Sequence, residues 1–117
     1  MSTDIMNIQR HFQVWSFTVS HGQLLLRSTK AADQSTRIDV LFKNVLTIHL
    51  PTSFDGLSIF EASESEKTEI KFQIGAKGIT DRKIFIVRGS NFQGYVIAGA
   101  VASHEDEGEY NDPSFFK

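Results

Sequence analysis

A chain of 117 residues, 40% of them hydrophobic and 22% charged, has the size and composition of one globular domain that buries a core without disulfides. It has no cysteine, which excludes disulfides, thiolate zinc sites and cysteine nucleophiles. The net charge is −2 and the Lys and Arg residues are scattered. Because nucleic-acid binding relies on a basic patch, we expect no nucleic-acid partner.

The N-terminus and the apolar segments bear on the compartment. Residues 1–12 contain no basic region followed by an apolar run, so we expect no secretory signal. No segment approaches the roughly 18 consecutive apolar residues that a transmembrane helix needs. The sequence therefore predicts a cytoplasmic protein without a membrane partner.

Apolar and polar residues alternate with a period of two in the first part of the chain, which predicts strands. Residues 12–29 are typical of a β-hairpin. A two-residue turn at His21-Gly22 places Val19 opposite Leu24. A bulge or a bend near Val14 accounts for a change of apolar phase along the first strand.

Residues 37–50 keep one apolar phase except at Asn44. This pattern predicts one long strand kinked at Asn44, or two short collinear strands, and Pro51 ends it because proline donates no ladder hydrogen bond. We predict a further strand over 57–62.

The last predicted strands cover residues 69–75, 83–88 and 95–102. In the first of them Ile70, Phe72 and Ile74 alternate with polar residues, so all three are expected to face inward. Residues 83–88 are apolar on both faces, which is typical of a central strand covered on both sides.

These elements predict an all-β fold, because no window has a convincing helical pattern. Seven or eight short strands with turn signals between them indicate a single-domain antiparallel sandwich or open barrel. We place the β-domain at residues 1–104 and an acidic, aromatic C-terminal tail at residues 105–117. The predicted core consists of Phe12, Trp15, Phe17, Val19, Leu24, Leu26, Ile38, Val40, Phe42, Ile48, Ile70, Phe72, Ile74, Phe85 and Val87.

No residue of the sequence is assigned a catalytic, cofactor-binding or metal-ligating role. The histidines, at positions 11, 21, 49 and 104, have no short ligand spacing. The segment GAKGIT lacks the residue order of a phosphate-binding loop and predicts a hairpin loop. Asp39 and Asp55 are interpreted as surface charges. The sequence therefore requires no cofactor, and it favours a protein that is not an enzyme.

The segment SHEDEGEYNDPS holds five of the fourteen acidic residues. Its spacing does not match a calcium loop, since consecutive residues of an extended chain point to opposite sides. Three interpretations remain open: a hard-cation site, a docking surface for a partner, or a solvated ending. Phe115 and Phe116 either pack back on the sheet or contact another chain. The candidate partner surface comprises Glu105, Asp106, Glu107, Glu109, Tyr110, Phe115 and Phe116.

The phrases HGQLLLRS and RIDVLFKNVLTIHLP, within residues 21–51, resemble small β-rich bacterial proteins, among them immunity proteins of toxin systems. The pattern F-x-x-V-x-x-I/L-x-L is matched by Phe42, Val45, Ile48 and Leu50. The resemblance implies a bacterial accessory protein that binds another protein, and it carries no catalytic residue with it.

Three functional hypotheses follow. In the first, a non-enzymatic β-domain acts through protein–protein contact, as a homo-oligomer joined by a sheet edge or face or as an immunity-like binder. In the second, a small molecule binds in a pocket between the sheets, near Trp15, Tyr95 and a histidine. In the third, histidines and carboxylates assembled by folding form a metal-dependent enzyme.

Overall fold

The computed structural model describes residues 4–75, 79 and 81–116. Its strands and helix, in chain order, are β1 (Asp4–Thr18), β2 (Gln23–Ser28), β3 (Arg37–Lys43), β4 (Thr47–His49), β5 (Ser53–Glu61), α1 (Glu64–Ile74), β6 (Lys83–Arg88), β7 (Gln93–Ala98) and β8 (Ala100–Asp106). Within these described ranges, no helix has the length and apolar character needed to cross a bilayer.

The strands form one antiparallel sheet in the order β4-β7-β6-β5-β1-β2-β3-β8. This confirms the predicted all-β class and its antiparallel pairing, and the sheet is not closed into a barrel. The predicted central strand is confirmed as β6, in which Ile84 through Val87 are buried.

Two chain segments bend the sheet strongly. Chain segment β3–β4 bends at Asn44, whose φ of 56° is positive, a conformation that asparagine tolerates better than most residues. The β7–β8 segment bends at Gly99, opposite this point, and the two segments pair on both sides of the bend. The predicted interruption at Asn44 is therefore confirmed, but the segment is neither one long strand nor two collinear strands, because β3 and β4 pair with different partners. The curled sheet encloses a core of Phe12, Leu24, Leu26, Ile38, Val40, Phe42, Phe54, Leu57, Ile59, Phe85, Val87, Val96 and Ala98.

Helix α1 covers the outer face of β5, β6 and β7, where a second cluster of buried residues lies. The prediction of a strand over residues 69–75 is therefore wrong, since residues 69–74 belong to α1. Ser63 and Glu66 form a capping box, in which the side chain of each accepts a hydrogen bond from the backbone N–H of the other. Ile70 and Ile74, four residues apart, share the face that packs on the sheet, whereas Phe72 is 89% exposed.

The β1–β2 hairpin lies at the predicted residues, but the predicted register is wrong. A single 3-10 turn over Val19–His21 lengthens the loop, so that Phe17 rather than Val19 pairs with Leu24. Val19 consequently projects from the hairpin end and is 82% exposed. The predicted bulge is confirmed by the shift in register between Val14 and Ser16.

Most of the predicted core residues are buried. The others are partly or largely exposed. Trp15 lies at the bulge of β1, Phe17 and Val19 at the end of the hairpin, Ile48 on the short strand β4, and Phe72 and Ile74 on α1. Of the three predicted core residues on α1, Phe72 is exposed because the helical period replaces the period of two on which the prediction depended, whereas Ile74 is half-buried on the face that packs on the sheet.

The two alternative assignments of residues 69–75 predict different mutational effects. Replacing Ile70 by Ala is expected to lower the free energy of unfolding by about 2–4 kcal/mol, since a buried side chain is truncated. Replacing Phe72 by Ala is expected to change it by less than about 0.5 kcal/mol. Urea unfolding monitored by circular dichroism measures both. Similar losses for the two variants would favour the strand.

Candidate partner-binding surface

A buried ion pair lies on the outer face of β2 and β3, where Arg27 and Asp39 are cross-strand partners. Arg27 Nε and Nη2 donate to Asp39 Oδ1 and Oδ2 at 2.8 and 3.1 Å. The two side chains are only 2% and 1% exposed. The interpretation of Asp39 as a surface charge is therefore wrong, because the C-terminal tail covers the face on which it lies.

A second pair lies at the next outward position of β3. Arg37 Nε and Nη2 donate to Asp106 Oδ1 and Oδ2 of β8 at 3.1 and 3.0 Å. This hydrogen bonding raises the pKa of Arg37, against the opposing effect of burial. It lowers the pKa of Asp106, and the N–H of Gly108, which donates to the same carboxylate, acts in the same direction.

The remaining guanidinium N–H groups hold the tail. Arg27 Nη1 donates to the carbonyl oxygens of Tyr110 and Asp112 at 3.1 and 3.2 Å. Arg37 donates to the carbonyls of Glu109, Asp112 and Pro113 at 3.1, 2.7 and 3.1 Å. We call Arg27, Asp39, Arg37 and Asp106 the arginine clamp.

The tail passes very close to Arg37 at Gly108. A Cβ atom at this position would lie 2.5 Å from Arg37 Nη2, so glycine is the residue that allows the approach. The backbone of the tail is consequently tied to buried side chains of the sheet, and residues 107–116 are docked on it rather than free in solvent.

Aromatic side chains of the tail pack on the same face. Tyr110 meets the ring of Trp15 edge-on at 4.9 Å, and Trp15 in turn lies 4.8 Å from the guanidinium of Arg27. Their contact anchors the tail beside the clamp.

At the other end of the tail, Phe115 stacks on His104 with the ring centroids 3.9 Å apart. Phe116 lines a cavity together with Leu25 and Leu41, which are both buried. We call His104, Tyr110, Phe115 and Phe116 the docked tail surface. Tyr110 and Phe115 remain 53% and 62% exposed within it.

Most acidic side chains of the predicted partner surface form hydrogen bonds or ion pairs with other residues of the chain. Glu105 accepts a hydrogen bond from Thr36 at 2.5 Å and lies 4.0 Å from Arg10. Glu109 accepts from Lys30, and Asp106 belongs to the clamp. Glu107 is exposed. Three of the five carboxylates of the acidic stretch thus lie within 4.0 Å of a cation of the same chain, Arg10, Lys30 or Arg37.

Folding brings two histidines beside carboxylates. His11 Nδ1 lies 2.7 Å from Asp55 Oδ1, and both are exposed. His104 Nε2 lies 3.7 Å from Asp106. Across residues 4–75, 79 and 81–116, no group of three His, Asp or Glu side chains is arranged to hold a metal ion. The predicted loop GAKGIT falls largely on residues 76–78 and 80, which lie outside the described residues.

The clamp is not predicted from the sequence, because polar residues that face away from the core of a sheet are ordinarily solvated. One signal was available: Arg27 faces the same way as Asp39 and Arg37 on paired strands. Two arginines and an aspartate lie on one sheet face, and the acidic tail ends in aromatic residues. These two features together indicate that the tail covers this polar face.

Comparisons of the chain with protein-family models, with curated proteins and with solved structures found no match. Function is therefore inferred from the surfaces and cavities of this chain.

The buried pair Arg27–Asp39 is expected to respond differently to single and double replacement. Asp39→Leu leaves a buried unpaired guanidinium and is expected to lower the free energy of unfolding by about 3–5 kcal/mol. Adding Arg27→Met is expected to restore most of that loss, because an apolar pair of similar volume can replace a buried ion pair. Urea unfolding measures both changes.

The double variant separates sheet stability from tail docking. Because Arg27 also donates to two tail carbonyls, its loss is expected to release the tail backbone and to make it susceptible to chymotrypsin at Tyr110 and Phe115 while the sheet stays folded. A tail as resistant to cleavage as in the wild type would contradict the role of Arg27 in holding it.

Acid is expected to weaken the Arg37–Asp106 pair. The folded-state pKa of Asp106 lies below its ordinary value of 3.8, so the unfolded chain takes up the proton first as the pH falls. The stabilisation is therefore complete well above pH 4 and decreases as the pH falls from about 5 through 4 and below. Asp106→Asn is expected to lower stability near pH 7 by about 1.5–3 kcal/mol and to reduce the acid dependence.

Urea unfolding at several pH values between 3 and 7 tests this expectation. Glu107→Gln, at an exposed neighbouring carboxylate, is the matched control and should leave both quantities nearly unchanged. An acid dependence in Asp106→Asn as steep as in the wild type would rule out the ion pair as its source.

Proposed function

We propose that this protein is a non-catalytic binding module that acts through protein–protein contact, and that it self-associates through the edge of β8 and the docked tail surface. The observation that carries the proposal is the arginine clamp, which fixes an aromatic tail beside a sheet edge. Exposed aromatic side chains on a preorganised surface are typical of binding hot spots.

The edge of β8 is suited to pairing with another strand. Among the described strands, β8 pairs only with β3 and ends the sheet. An unpaired edge offers a row of backbone donors and acceptors, and β8 spans seven residues. Its small residues Ala100, Ala102 and Ser103 allow a neighbouring chain to approach closely.

Charge does not oppose pairing of two copies of β8. In an antiparallel pair centred on Ser103, Glu105 faces Val101 of the second copy, and Asp106 faces Ala100. No carboxylate therefore faces another carboxylate. Both acids also lie near cations of their own chain, Arg10 and Arg37. Such a pair has the two-fold symmetry that is commonest in homodimers.

Opposite charges placed at Ser103 test this arrangement. Because the exposed Ser103 side chains face each other across the two-fold axis, Ser103→Glu or Ser103→Lys alone places like charges together and is expected to weaken the dimer. Mixing the two variants is expected to restore association as a heterodimer. Sedimentation velocity over a micromolar concentration series measures the dissociation constants, and native mass spectrometry distinguishes the heterodimer.

Two phenylalanines provide a matched control. Phe115→Ala, on the docked tail surface, is expected to raise the dissociation constant about 5-fold or more, as truncation of a hot-spot aromatic does. Phe72→Ala, which removes the same group from an exposed position on α1, should leave it unchanged. A wild-type protein that stays monomeric at all concentrations would overturn self-association.

A distinct protein partner is the second candidate. The resemblance to immunity proteins favours it, although the matching residues Phe42, Val45, Ile48 and Leu50 belong to the bent β3–β4 segment and not to the docked tail surface. A monomeric protein that binds a purified toxin-type partner, with affinity lost in Phe115→Ala and kept in Phe72→Ala, would support this alternative.

A further inference from the structure

A groove lies between α1 and the outer face of the sheet, where β4, β6 and β7 run side by side. Its volume is about 210 Å³, below the range of about 300–1,000 Å³ that is typical of drug-sized ligands. Ile70 of α1 and Ile86 of β6 line it and are both buried. The groove therefore suits a small ligand with an apolar part.

Two stacked rings form one wall of the groove. His49 of β4 and Tyr95 of β7 are cross-strand partners, and their rings stack at 5.0 Å with an angle of 14° between the planes. Gly94 makes this close pairing possible, because a Cβ atom there would lie 2.0 Å from the His49 carbonyl oxygen. The wall is thus fixed by strand pairing.

The charges that line the groove all have one sign. Glu66 and Glu69 of α1 contribute carboxylates, and no Lys or Arg is among the lining residues. Glu66 Oε1 accepts the N–H of Ser63 in the capping box. The side chains of Glu69 and Gln73, in contrast, form no hydrogen bond with any residue in the described part of the chain.

Polar groups on both sides of the groove are therefore available to a ligand. On the sheet side, the Tyr95 hydroxyl and the His49 ring nitrogens likewise have no hydrogen-bond partner among the described residues. A carboxylate and aromatic rings that line the same groove favour an organic cation, since the rings and the negative charge both attract it. The same charges disfavour phosphates and carboxylates.

We propose that the α1–β7 groove, lined by His49, Glu66, Glu69, Ile70, Gln73 and Tyr95, binds a small organic ammonium or guanidinium compound. The cationic group lies between the Tyr95–His49 wall and Glu69, and its short alkyl part contacts Ile70 and Ile86. Gln73 supplies a hydrogen-bonding group at the exposed side. This site is separate from β8 and does not depend on self-association.

Backbone amide chemical shifts in a nitrogen-15 NMR titration test the proposal. Butylammonium, tetramethylammonium and butylguanidinium chlorides are the probes, and sodium butyrate at equal ionic strength is the matched anion. Saturable shifts at Gly94, Tyr95 and Gln73 are expected with the cations alone. Equal shifts with butyrate, shifts that never saturate, or shifts centred on Glu107 in the acidic tail would overturn the site.

Two variants on one helix provide the second test. Glu69→Gln removes the charge without changing the size of the side chain and is expected to weaken cation binding about 5-fold or more. Glu64→Gln removes a carboxylate from the same helix outside the groove and should leave the affinity unchanged. Equal affinity of the wild type and Glu69→Gln for every cation would overturn the proposal, whatever the oligomeric state of the protein.

Discussion

The buried pair of Arg27 and Asp39 constrains the rest of this structure. A carboxylate neutralises one edge of the guanidinium, but Arg27 has further N–H groups that are also buried and must find acceptors. The tail carbonyls of Tyr110 and Asp112 supply them. Arg37 repeats the arrangement at the next outward position of β3. The C-terminal tail is therefore part of the fold, because without it two arginines would face an incomplete set of partners.

The outer face of the curled sheet has two covers of different kinds. Over β5, β6 and β7 the cover is α1, which contributes apolar side chains such as Ile70. Over β2 and β3 the cover is an irregular tail, which contributes backbone carbonyl groups and the ring of Phe116. An irregular segment carries unpaired backbone groups wherever it is buried. A sheet face that presents guanidinium donors is thus the chemical complement of such a cover.

The sequence was informative where one physical effect determined the structure. The kink at Asn44 and the bulge after Val14 were predicted because the apolar phase changes or is interrupted at each. The strand predicted over residues 69–75 is wrong because Ile70 and Ile74 are spaced by four, a spacing that fits a strand and a helix alike. The capping residues Ser63 and Glu66 are the feature that distinguishes the helix from the strand. Tail docking could not be predicted from periodicity, since it depends on hydrogen bonds from Arg27 and Arg37 to tail carbonyls, which form only after folding.

The presence of arginines on the sheet face beneath the tail has a physical consequence. An apolar sheet face beneath the tail would give a fold of similar stability, because replacing buried ion pairs by apolar residues frequently preserves stability. Apolar contacts, however, leave the path of an irregular segment loosely specified, whereas five guanidinium hydrogen bonds to tail carbonyls fix its direction. The exposed rings of Tyr110 and Phe115 consequently hold defined positions. Ordering them therefore requires little further loss of side-chain entropy on binding, which is the condition under which exposed aromatic groups contribute most to affinity.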